Sequence, residues 1–110
     1  MSTRCQVSFE QNGVRRALIY KHCDGYPESE NGVLYFLKPF TKKFRKERGD
    51  DPEYFIAQYL RHLATQEIKE DWRHGKLDFF GYGVDTELHG DISYLYTVNL
   101  KTGKIIVKKM

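Results

Sequence analysis

The chain has little cysteine, little proline and no long hydrophobic run. Only Cys5 and Cys23 carry thiols, too few for a disulfide framework and not spaced as Cys-x-x-Cys. Both are expected to be reduced, and neither a structural zinc site nor any other metal site is expected. No apolar stretch approaches the roughly 20 residues that a membrane helix needs, so no membrane contact is expected. The opening MSTRCQVSFE has no apolar core behind Arg4 and reads as neither a signal peptide nor a transit peptide, which points to a cytoplasmic protein. A phosphate-binding glycine loop, a recognisable triad, a repeat and a linker are missing as well. No cofactor is implied, and an enzyme is the less expected reading.

What remains is a chain of 110 residues, 40% hydrophobic and 30% charged, long enough for one core and too short for two. It reads as a single domain, residues 1–110. The net charge of +3 is mild and ordered along the chain. Glu28 and Glu30 precede one helical pattern, Asp50, Asp51 and Glu53 open another, and Lys42, Lys43, Arg45, Lys46 and Arg48 close the first. Carboxylates at helix starts and cations at helix ends complement the macrodipole, so much of this pattern has a structural reason.

Residues 4–10 and 14–22 alternate in polarity around Asn12-Gly13, a pair that tolerates the positive φ of a tight hairpin turn. Pairing Gln11 with Val14 sets Val7 opposite Leu18 and Cys5 opposite Tyr20. One face then carries Cys5, Val7, Phe9, Leu18 and Tyr20, with Arg16 as its exception. Val33, Phe36, Leu37, Phe40 and Phe44 recur at helical spacing, predicting a helix over about 28–48 with a kink or break at Pro39. Asp51-Pro52 starts a second helix to about residue 72, with Phe55, Ile56, Tyr59, Leu60 and Leu63 on its apolar face. Three strand patterns follow: KLDFFGYGV, DISYLYTVNL and KIIVKK. For Tyr96 and Val98 to share a face with Ile105 and Val107, the last loop must have an even number of residues, two or four. The expected fold is α+β: an antiparallel five-stranded sheet in the order β-β-α-α-β-β-β, with both helices on one face.

Candidate chemistry gathers first at the corner YKHCDGYP. His22 and Asp24 could act as a base with its orienting carboxylate, and Cys23 as a nucleophile. Against this, Asp24-Gly25 is a common turn pair and Tyr26-Pro27 favours extended chain before a helix. An up-and-down count of strands and helices brings the exit of the second helix to the same end. That makes His74 a further candidate for catalysis, and Tyr26 and Trp72 candidates for ligand binding. The same count sends His89 and Asp91 to the opposite end, beside Asn12-Gly13. The basic run KPFTKKFRKERG offers Lys42, Arg45 and Lys46 to phosphates, although the helical wheel turns Phe40 and Phe44 inward and away from any base. Phe79 and Phe80 are adjacent and point to opposite faces of a strand.

The segments IYKHCDGYPE and HGDISYLYTVNL resemble those of small, uncharacterised proteins of bacteria, archaea and phages. That group is built around Tyr-x-His-x-Asp-Gly-Tyr-Pro and a later Gly-Asp-Ile-x-Tyr-x-Tyr. The pattern there often has an aromatic residue between His and Asp, where this chain has Cys23. The resemblance covers the first corner and the fourth strand and implies no activity. The expected function is therefore a small binding or interaction module, encoded by a phage or another mobile element, contacting a protein or a nucleic acid. Self-association through the open sheet face is a further expectation. A small hydrolase or phosphoryl-handling enzyme using His22 and Asp24, and a non-specific nucleic-acid binder using the basic helix, are the alternatives.

Overall fold

A computed structural model describes residues 3–22, 24–28, 32–49, 51–67 and 81–110. The first hairpin forms as its turn pair dictates: β1 (Cys5–Gln11) and β2 (Val14–Lys21) are antiparallel, with Asn12 at φ 53° and Gly13 at φ 77°. Two helices follow, α1 (Val33–Arg48) and α2 (Pro52–Glu67), then β3 (Tyr82–Asp85), β4 (Tyr94–Asn99) and β5 (Ile105–Lys109). Residues 68–80, which include the expected end of the second helix and the start of the third strand, lie outside the described residues.

The described residues form an α+β fold with five strands and two helices, but the sheet is mixed. Its strand order is β3-β2-β1-β4-β5, and β1 and β4 run parallel while the other pairs are antiparallel. The expected all-antiparallel sheet fails at the connection between β3 and β4. Residues 86–93 do not turn back as a hairpin; they cross β2 and β1 and place β4 on the far side of β1. A crossover is what joining two strands of the same direction demands.

The register differs from expectation for a local reason. Gln11 pairs with Val14 and Glu10 with Arg15, but a bulge between Phe9 and Glu10 shifts the rest, so that Phe9 opposes Ala17, Val7 opposes Ile19 and Cys5 opposes Lys21. One extra residue exchanges the two faces of a strand. Ala17 and Ile19 therefore join Cys5, Val7 and Phe9 under the helices, while Leu18 and Tyr20 go to the other face. Arg16, the odd residue on the expected apolar face, marked the bulge.

Both helices pack on that first face. Val33, Leu37 and Phe44 of α1 and Phe55, Tyr59 and Leu63 of α2 share one buried cluster with Cys5, Val7, Phe9, Ile19, Tyr96 and Val98. Phe9 meets Phe55 and Tyr59 at ring separations of 5.4 and 5.9 Å. Burying each such ring stabilises by about 1.5–3 kcal/mol. Burial also pushes the Cys5 thiol up to about 12, which leaves it an unreactive small hydrophobe.

α1 runs through Pro39 without a break, so of the expected kink or break the break does not occur. The hydrogen bond that proline removes would have ended on the carbonyl of Tyr35, an exposed residue, where water can take its place. The last loop follows the parity rule. Val98 pairs with Ile105 and Tyr96 with Val107, and Asn99 donates its N–H to the Lys104 carbonyl, leaving the four residues 100–103 as the turn. Among the described residues no helix is long and apolar enough to cross a membrane.

Candidate functional site

The corner after β2 is built from backbone contacts. Gly25 donates its N–H to the Thr3 carbonyl at 2.8 Å, and its own carbonyl accepts the Tyr96 hydroxyl at 2.6 Å. The next two carbonyls, of Tyr26 and Pro27, accept the first N–H groups of α1 from Val33 and Leu34. Those N–H groups have no partner inside a helix, and no side chain caps this one. The corner is thus the cap of α1. Its side chains do not converge: Asp24, at φ 55°, accepts a 3.1 Å bond from the Tyr26 hydroxyl, and no described contact joins it to His22. His22 is exposed and donates its backbone N–H to Gly81. Cys23, Trp72, His74, Phe79 and Phe80 lie outside the described residues.

His89 and Asp91 sit at the corner end of the sheet, not beside Asn12-Gly13. The crossover returns the chain to the start of β1, where Ser93 donates its N–H to the Arg4 carbonyl. There, on the face away from the helices, His89 stacks on Tyr20 at 4.5 Å. Its Nε2 faces Asp85 at 3.2 Å and its Nδ1 faces Asp91 at 3.7 Å. Beneath them Gln6, fully buried, donates to Asp85 and to the Glu87 carbonyl and accepts the His89 N–H at 2.8 Å. Arg4 and the Tyr20 hydroxyl reach Asp91. Sequence reasoning singled out His89 and Asp91 but placed them at the wrong end of the sheet, and it missed Gln6, Tyr20 and Asp85 beside them; a glutamine between apolar neighbours in β1 was the signal it passed over. Each imidazole nitrogen faces a different carboxylate, so neither is turned to a ligand. Gln6 pins the crossover to the sheet, and Gln6, Ser8 and Leu18 are buried on the face expected to be open. Among the described residues no group of three or more metal-ligating side chains could hold an ion.

The basic helix divides into two kinds of cation. Arg45 is spent inside the fold: its guanidinium donates to the carbonyls of Leu100 and Lys101, and its stem lies against Gly103. Tyr35, Lys38, Lys42 and Lys46 are exposed and recur every three or four residues, so they form one stripe about 16 Å long. Arg45 ties α1 to the β4–β5 turn, which carries Lys101 and opens a second basic segment. Residues 92–110 contain Lys101, Lys104, Lys108 and Lys109 and no carboxylate. Within α1 there are six cations and one carboxylate, Glu47. These two elements hold ten of the eighteen basic residues and one of the fifteen acidic ones. Eight cations and fourteen carboxylates remain for the rest of the chain. Successive lysines of the stripe are about 6 Å apart along the helix axis, inside the screening length of about 8 Å at physiological salt, so their fields add.

Between α1 and α2 lies a groove of about 530 Å³, with Phe40 and Phe44 on its floor and Lys43, Arg48, Arg61 and His62 around it. Phe44 turns inward as the wheel requires, but Phe40 is only half-buried and lines the groove. No protein-family model, no curated protein and no solved structure matches the chain.

Proposed function

We propose that the protein is a small binding module for nucleic acid, held electrostatically by the cations of α1 and of the β4–β5 hairpin. The segregation of charge carries this reading: ten cations and one carboxylate on two elements that Arg45 fastens together. A mild net charge of +3 conceals the asymmetry. A clustered basic face is the footprint expected of phosphate recognition, and affinity of this kind depends on salt and little on sequence. The exposed Tyr35 gives the stripe an aromatic surface beside its lysines.

The corner residues His22, Asp24 and Tyr26 support this reading indirectly, because the corner they belong to fixes the start of α1 and hence the direction of the stripe. Titration of the protein with a short DNA strand, followed by amide chemical shifts, tests the assignment. Shifts are expected along residues 35–46 and 101–109. Shifts confined to the corner and the His89 cluster would point instead to a ligand site there.

A further inference from the structure

We infer that the groove between α1 and α2 is a base-stacking pocket, so that the protein prefers single-stranded nucleic acid to duplex. This rests on the nucleic-acid reading of α1 and adds to it what the groove takes. The Phe40 ring of α1 lies near-parallel to Phe44 at 6.0 Å and, across to α2, to His62 at 5.6 Å, so an aromatic wall joins the two helices along the groove. Phe40 stays half-buried, so part of that wall is accessible. The volume, about 530 Å³, lies in the range of roughly 300–1,000 Å³ typical of pockets for small organic ligands, ample for one nucleotide unit.

Charge favours the same occupant. Lys43 and Arg48 stand on the α1 rim and Arg61 on the α2 rim, with Arg48 held over the Tyr54 ring at 4.8 Å. Glu47 is the one carboxylate among the described lining residues. It would repel a bare anion, but it can accept a hydrogen bond from the exocyclic amino group of a base such as cytosine. An apolar floor, cationic rims and acceptors at Glu47 and Gln58 together suit a flat base joined to a phosphate. A base in duplex DNA is paired and stacked on its neighbours and cannot enter, whereas a base of a single strand can.

The test measures binding of single-stranded oligodeoxycytidylate and of duplex DNA of equal length, at one salt concentration, for the parent protein and for Phe40→Leu and Arg61→Gln. The parent should prefer the single strand. Phe40→Leu, which keeps an apolar side chain but removes the ring, should weaken strand binding about 5- to 150-fold and leave duplex binding unchanged. Arg61 is exposed, so Arg61→Gln tests the rim if Phe40→Leu proves unstable. Equal binding of strand and duplex, both sensitive to salt, would overturn the pocket and leave the phosphate-binding face standing. Strand affinity indifferent to both substitutions would also overturn it, as would competition by polyglutamate as effective as that by the strand. Binding of neither nucleic acid would overturn both readings.

Discussion

The buried hydroxyl of Tyr96, in β4, donates a 2.6 Å hydrogen bond to the carbonyl of Gly25, in the corner after β2. Seventy-one residues apart in sequence, the two meet where the corner passes the end of β1. Gly25 fits there because it has no side chain: a Cβ would lie 2.8 Å from the Cβ of Cys5 and from the Thr3 carbonyl oxygen. The fourth strand therefore braces the loop that caps α1. Tyr96→Phe is expected to cost about 1–3 kcal/mol by leaving a buried carbonyl unpaired, and Gly25→Ala a similar amount through overpacking. Urea unfolding of the two variants measures both.

Arg45 and Lys42 lie three residues apart and are expected to behave differently. Arg45→Ala removes the bonds to the carbonyls of Leu100 and Lys101 and should lower stability by about 1–3 kcal/mol. Lys42→Ala, on the exposed stripe, should stay within about 0.5 kcal/mol of the parent. Thermal unfolding of the pair separates the structural cation from the surface one.

Gln6→Leu keeps the volume of a fully buried side chain while removing its hydrogen bonds to Asp85, Glu87 and His89. The His89 amide should lose its protection from hydrogen exchange, and stability should fall by about 1–3 kcal/mol. Unchanged protection would show that the crossover is held by other contacts.

Alkaline pH should weaken the fold in stages. Burial raises Cys5 from 9.0 to about 12, and burial likewise raises Tyr59 and Tyr96 above their ordinary 10.0. Each folded value exceeds the unfolded one, so stability is intact below the unfolded values and falls as pH rises through them. The expected decline begins near pH 9 with a slope of about 1.4 kcal/mol per pH unit from Cys5 alone. Cys5→Ala should move the onset to about pH 10, where the tyrosines take over. Urea midpoints from about pH 8 to about pH 11 report the shift.

What the sequence revealed follows the range of each signal. Asn12-Gly13, the Asp51-Pro52 helix start and the spacing of Phe55, Tyr59 and Leu63 act over a few residues and were legible. The β4–β5 turn was legible as well, because two apolar faces had to agree. The bulge near Arg16 left only one misplaced charge as its trace. The parallel pairing of β1 with β4 left no trace, because Tyr96 and Val98 alternate in the same way beside either neighbour. The candidate site shows the same division. A helical wheel places Lys42, Arg45 and Lys46 on a polar side, but only the position of the β4–β5 turn shows that Arg45 is already used. The pooling of charge between α1 and residues 92–110 depends on that contact too.

The most direct test of the nucleic-acid reading is the slope of log affinity against log salt for a single strand. Each phosphate contact contributes about 0.7 to that slope. Replacing Lys42, Lys46 and Lys101 together by glutamine should therefore reduce it by about 2, with the fold unchanged. A slope identical to that of the parent protein, or a parent that binds without salt dependence, would contradict the reading.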